Sequence, residues 1–452
     1  MKQILVILIV VNLLIGCTAS RYNIAENHLE QGRHQSALRE YLKILHEDKR
    51  QHGGFTDAEA MLGVASTYFA MKQYGKTQSM CKRILKIDAN NGGALFYAGG
   101  SLEAKGKLKW AVKFYNRHKF LPDSDPYKRF MKARLEFLMQ EEIAKSMKAA
   151  IRRERTVRPD DVPQNTIAVL YFLNQDADPD WQALSKGLAE MMITDFAQAK
   201  QLNVVERLKL QKLIDEMNMD QSGLADPNTV PRFGKLLKAR ILINGGYTIP
   251  SGADLMLTAN IGDITQSRTF EALRFSGRLE NIFRMEKDLV LSVLDQLGIQ
   301  LSYEERNRIM QIPTENIQAF KAYCFGLEQM DRGNYTLAGD YFNQSLKLDP
   351  KFSPANEKLQ LVEAMGVLAS NRPIAASIRK HKARRGSARG SGQLGVLFRP
   401  SPENRLSRIS SNLDMGYLPG NNSREDAAEL GEDLLERRPL LPPPDPPRTT
   451  QQ

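Results

Sequence analysis

The sequence predicts an α+β chain: an N-terminal α-solenoid of helical pairs, a central α/β domain with a mixed sheet, one further helical pair and a disordered tail. Three observations carry that prediction. Small and aromatic residues recur with a 34-residue period up to about residue 124, and the pattern returns once after residue 315. Between the two regions, short apolar runs alternate with helical patterns in the order β-α-β-α-α-β-β-β-α. Beyond about Asn371 the periodicity is lost to basic, Gly/Ser-rich and then Pro-rich sequence.

The chain opens on MKQILVILIVVNLLIGC, residues 1–17. Lys2 precedes an apolar run from Ile4 to Leu14, broken by Asn12, which has the length of a signal-peptide core and falls short of the ~20 residues that span a bilayer. Its end, Leu14-Ile15-Gly16-Cys17, resembles the bacterial lipobox, in which small residues before a cysteine admit the lipoprotein signal peptidase. The resemblance implies that Cys17 becomes the lipidated first residue of the mature chain. Thr18, standing where an Asp would retain such proteins, implies transfer to the outer membrane.

At 452 residues, 42% hydrophobic and 25% charged, the rest is ordinary globular composition, with no second apolar run near the membrane-spanning length. The net charge of +11 draws on clusters such as Arg152-Arg153-Glu154-Arg155 and Arg379 to Arg385. In an exported chain these favour anionic headgroups or acidic surface polymers and exclude nucleic acid as a partner. Besides Cys17, Cys81 and Cys324 stand alone inside helical patterns, as buried thiols rather than a disulfide framework.

The helical pairs are read from aligned positions. Gly99, Gly106, Ala111 and Tyr115 form one copy; Ala65, Tyr74, Thr77, Cys81 and Ile84 lie on the same template 34 residues earlier. Ala25, Gly32, Ala37, Tyr41 and Ile44 form a copy before that, after an insertion from His46 to Thr56. The sharpest copy is Gly326, Gly333, Tyr335, Ala338, Phe342 and Asp349-Pro350. These segments, 22–124 and 315–360, resemble tetratricopeptide repeats, paired antiparallel helices that stack into a protein-binding surface. The lone downstream pair needs the neighbouring domain or another subunit to pack on. Residues 125–162, with Phe130, Leu135, Leu138, Ile143 and Met147 at helical spacing, read as a helical linker ending before Pro159.

The central domain is placed at 163–300. Ile167 to Phe172 is a continuous apolar run, expected as a buried strand. An amphipathic helix follows over Trp181 to Lys200, with Leu184, Leu188, Met191, Met192 and Phe196 on one side. Leu202 to Glu206 is a second strand, and helices are expected over Leu208 to Met217 and Thr229 to Leu237. Strands then span Ile241–Thr248, Asp254–Ile264 and Thr269–Leu279, and a last helix covers Met285 to Leu297.

Val204-Val205-Glu206-Arg207 leading into Leu210-Gln211-Lys212-Leu213-Ile214, then Leu236 to Ile243 and Asn244-Gly245-Gly246-Tyr247, resembles the CsgG family of curli-secretion lipoproteins; Ile167 to Leu170 fits its opening strand. Periplasmic domains related to the TolB amino-terminal domain share much of this outline. Curli channels add two long amphipathic hairpins that assemble a barrel from many subunits, and each membrane strand needs about 9–11 residues. Here only Ile249 to Ala253 and Thr265 to Arg268 join the strands, and Asn174–Asp180 has no counterpart of the pore-narrowing loop. No pore residue is therefore carried over.

No catalytic, cofactor or metal residues are assigned. The six histidines (His28, His34, His46, His52, His118, His381) all lie outside the α/β domain, which excludes a Ser–His or Cys–His pair within it. Asp176-Ala177-Asp178-Pro179-Asp180 lacks the glycine and later glutamate of a calcium loop and is expected to cap the following helix. Gly245-Gly246 reads as a strand position where backbones approach closely. The tail, 371–452, is expected to be disordered.

Together these features predict a non-enzymatic outer-membrane lipoprotein facing the periplasm, attached through Cys17. It would assist assembly or export of a surface fibre or polymer by protein–protein contacts. The expected partners are a periplasmic or secreted protein client on the repeats, the membrane through its lipid anchor, and further copies of the chain. The alternatives are an oligomeric CsgG-type secretion channel and a TolB-like envelope scaffold.

Overall fold

A computed structural model describes residues 21–46, 57–154, 162–176, 179–219, 229–250, 253–266 and 268–369. Residues 1–20, with Cys17 and the segment expected to be a lipobox, and the tail from 370 onward lie outside them. Among the described residues, 21–46, 57–137 and 364–369 form one compact unit and 138–363 a second.

The first unit is built of antiparallel pairs: α1 (21–30) with α2 (His34–His46), α3 (Asp57–Ala70) with α4 (Tyr74–Ile87), and α5 (Gly92–Glu103) with α6 (Leu108–Tyr115). A 3-10 turn, Asn116–Phe120, precedes α7 (Pro126–Arg152). The aligned positions are the packing positions: Ala25, Ala37, Ala65, Thr77, Cys81 and Ala111 are wholly buried. A Cβ on Gly99 would lie 2.7 Å from the Tyr115 ring, so hydrogen is all that fits there. Tyr115 Oη donates to Glu103 at 2.8 Å, and Arg134 of α7 pairs with the same buried carboxylate. The first half of α7 thus closes the third pair, with Phe130 against Phe96.

In the second unit, a mixed sheet forms from β1 (Thr166–Val169), β2 (Leu173–Asn174), β3 (Asn203–Val204), β4 (Ile241–Thr248), β5 (Asp254–Asp263), β6 (Arg268–Thr269) and β7 (Leu273–Arg278). Its order is β3-β1-β4-β5-β6, with β2 beside β4 and β7 beside β5. The first four strands pair in parallel and the β4-β5-β7 part is antiparallel. The interleaved helices are α8 (Leu184–Phe196), α9 (Arg207–Glu216), α10 (Thr229–Leu237) and α11 (Ile282–Gln296). Then come α12 (Tyr303–Ile309) and the pair α13 (Ile317–Asp331) and α14 (Tyr335–Leu348), followed by α15 (Ser353–Ala369).

Two expectations are corrected. The strand expected over Thr269–Leu279 is two strands. Thr269 pairs with Gly262 and Leu273 with Ala259, so three residues face two across β5. That extra residue is a bulge, and it splits the strand. The helix expected to be amphipathic is instead buried around almost its whole circumference, Lys186, Glu190 and Asp195 included. The sheet domain covers one side of α8 and α13 covers another. The charged residues that made the sequence look amphipathic are internal ion pairs.

Candidate functional site

Two features of α8 explain why it can be central. Gly187 lets a neighbour approach: a Cβ there would lie 2.1 Å from Cys324 Sγ and 2.9 Å from the Phe320 ring, both on α13. Phe320 also stands edge-on to Phe283 of α11, with centroids 5.2 Å apart. The downstream helical pair therefore packs on its neighbouring domain within the same chain. The second feature is ionic.

Arg207 opens α9, directly after the N-cap residue Glu206. Its guanidinium donates twice to Asp331 at the end of α13, at 2.6 and 2.8 Å, and once through Nε to Glu190 of α8 at 3.1 Å. Lys186 donates to the same Asp331 carboxylate at 2.9 Å, and Lys358 of α15 pairs with Glu190 at 3.2 Å. Tyr171, just past β1, accepts from Arg207 at 3.3 Å and donates to Gln211 at 2.8 Å. Burial alone would push the Asp331 carboxyl upward, but Arg207 and Lys186 outweigh it and hold the group below the usual carboxylate range. Burial likewise opposes the Arg207 charge, and Asp331 more than compensates. A buried bidentate arginine–carboxylate pair of this kind fixes geometry more than it adds stability, because desolvation offsets most of the attraction. The cluster is an ionic clasp that orients the α13–α14 pair on the sheet domain.

A second cluster joins α8 to α11. Lys287 donates to Asp195 and lies 3.1 Å from Glu286, with all three side chains buried. One lysine serves two carboxylates. Burial and the neighbouring Glu286 charge push Asp195 well above the usual range, and burial raises Glu286 as well.

The acidic loop is also structural, although not as expected. Asp176 accepts the Ile249 N–H beyond the end of β4, and Asp180 pairs with Lys321 of α13 at 3.2 Å. Neither caps α8, whose N-cap is Ala183; Ala177 and Asp178 lie outside the described residues. Gly245 is confirmed as a close approach: a Cβ would lie 2.0 Å from the Thr258 carbonyl oxygen. Cys81 and Cys324 are free and buried; burial pushes the Cys81 thiol up to about 12, far from reactive thiolate. Cys17, the one site residue read from the sequence, lies outside the described residues.

Sequence reasoning gave Arg207 no role of its own and passed over Lys186, Glu190 and Asp331. The available signal was charge inside an apolar period: Lys186 and Glu190 sit among Leu184, Leu188 and Met191. Such residues on a helix this apolar are buried only when paired.

Residues 153–249 match the family model described as curli production assembly/transport component CsgG. The match takes in the Glu206-Arg207 unit and strands β1 to β4. No curated protein matches the chain. The crystal structure of the yeast Tom70 aligns over 93% of this chain and 76% of that chain at 13% identity, with a TM-score of 0.21, too low to bear on the fold. The chain thus carries a CsgG-type domain flanked by tetratricopeptide-like helical pairs.

Proposed function

We propose that this CsgG-type domain and its repeats make the chain a non-enzymatic assembly component of a curli-type export system. It is held at the outer membrane by lipid on Cys17 and faces the periplasm. The match over 153–249 carries this reading. The stacked pairs of the first unit suit a protein client, since such arrays expose extended surfaces between rigid helices. The CsgG-type domain docks beside copies of itself.

An assembly role is favoured over a channel by the joins between strands. β4 passes to β5 through Ile249–Ala253, and both pair along their length inside the sheet, with Leu255, Leu257, Ala259 and Ile261 turned to the core. Strands paired along their length and joined by so short a connection do not supply the hairpins a channel of this kind needs. The size of the detergent-extracted full chain is the test. A ring of many subunits supports the reading, and a monomer at all concentrations overturns it in favour of a passive scaffold.

A further inference from the structure

The second helices of the first unit carry a surface that neither the repeat packing nor the CsgG-type domain explains. Between Glu103 and Asp123 the chain holds no acidic residue, and between Tyr74 and Ile87 there is none either. The segment around α6 presents Lys109, Lys113 and Lys119 to solvent, and α4 presents Lys76, Lys82, Arg83 and Lys86. At 76, 83 and 86 the cations share one face of α4; at 109 and 113 they share one face of α6.

Residues flanking α6 reach α4 and the turn that follows it. Lys105 donates to Gln78 at 3.0 Å near one end, and Arg117 donates to the Ala89 carbonyl at 2.8 Å near the other. Asp88 is the one carboxylate that the sequence places between Glu59 and Glu103, too few to neutralise this field. His118 adds no charge to it: burial lowers its pKa to about 4.

A solvated basic face needs no aromatic residues, yet this one displays two. Trp110 is 57% exposed and Phe120 64% exposed, and Ile87 at the end of α4 is 65% exposed. Lys113 stands over the Trp110 ring at 4.9 Å and Lys119 over Phe120 at 5.5 Å. Exposed large apolar rings flanked by lysines are the composition of a bilayer interface, where rings reach the glycerol level and ammonium groups meet phosphates. A bilayer interface meets both at one depth, its phosphates pairing with the lysines and its glycerol level taking the Trp110 and Phe120 rings.

We propose that the outer face of α4, α6 and the Asn116–Phe120 turn binds the anionic headgroup layer of a lipid bilayer. It is a contact additional to the lipid on Cys17. It lays the repeat array along the membrane instead of letting it swing on a single tether.

Trp110 itself reports on this. The chain has two tryptophans, so Trp181→Phe leaves Trp110 as the sole emitter. The full chain is reconstituted on vesicles of phosphatidylethanolamine and phosphatidylglycerol, and in parallel on phosphatidylcholine alone, each with brominated acyl chains. The expected result is a blue shift and quenching on the anionic vesicles, reversed by about 0.5 M salt. Changing Lys109, Lys113 and Lys119 together to Glu lowers the apparent affinity about a hundredfold, with unchanged helical circular dichroism. Should that variant fail to fold, the salt reversal in the unaltered face remains decisive.

Unshifted, unquenched emission on anionic vesicles overturns the proposal, as does equal quenching on both vesicle types. A shift produced by polyglutamate without lipid quenching overturns it in favour of an acidic macromolecule. Co-flotation of the chain with vesicles at high salt reports the Cys17 anchor separately.

Discussion

At the turn of each helical pair one residue takes the left-handed backbone conformation. Gly32, Gly106 and Gly333 hold it with φ of 71°, 72° and 77°, and in the remaining pair Lys72 holds it at 58°. A side chain there crowds its own carbonyl, a strain glycine escapes. Lys72→Gly is therefore expected to raise the stability of the first unit by about 0.5–1 kcal/mol, read as a higher midpoint in urea unfolding. An unchanged or lower midpoint would show that the strain is absorbed by the contacts of Lys72. The 34-residue alignment made this position legible, since residue 72 occupies the glycine column. That a lysine adopts the glycine conformation, instead of the turn being rebuilt, was not legible; Phe69 and Tyr74 meet edge-to-face across this turn.

Helices α8 and α13 show what periodicity conceals at the scale of elements. The apolar period located α8, and the sharp repeat signature located α13 and α14. Their contact was invisible, because it rests on one glycine and on the Lys186–Asp331 charges, which pair across 145 residues of sequence. Arg207→Met leaves Asp331 and Glu190 buried with only Lys186 and Lys358, at an expected cost of about 3–5 kcal/mol. Limited proteolysis between α12 and α13 should accelerate accordingly, and unchanged cleavage would show that the clasp does not hold the pair. The Lys287 cluster makes a different prediction. Asp195 and Glu286 have raised pKa values in the folded state, so folding retains a proton that the unfolded chain releases. Their contribution is complete at low pH and is lost as pH rises from the ordinary carboxylate range through the raised value. Asp331, with a lowered value, contributes above the ordinary range and loses that contribution as pH falls. Above the ordinary carboxylate range the first effect lowers thermal stability as pH rises, and Asp195→Asn, which leaves Lys287 with a single carboxylate, should flatten that decline. Parallel slopes for the two proteins would show that the cluster does not titrate there.

For the molecule as a whole, the alternation of helices and strands and the mixed sheet were legible from their periods, whereas β2, α12 and α15 were not read. The bulge between β6 and β7 was not, since one extra residue leaves alternation nearly intact. The two halves of the functional reading stand on different ground. The CsgG-type domain rests on a match over 153–249, and the attachment to the membrane rests on Leu14-Ile15-Gly16-Cys17. If, as proposed, Cys17 carries a lipid and β4, β5 and β7 stay paired in their sheet, that lipid is the only attachment that survives high salt. Fractionation of a Cys17→Ser variant tests this most directly. The expected outcome is its disappearance from the salt-washed outer membrane, as soluble chain or unprocessed precursor. A variant that still fractionates as an integral outer-membrane protein after the wash would contradict it, and strands of this chain would then have to enter the bilayer.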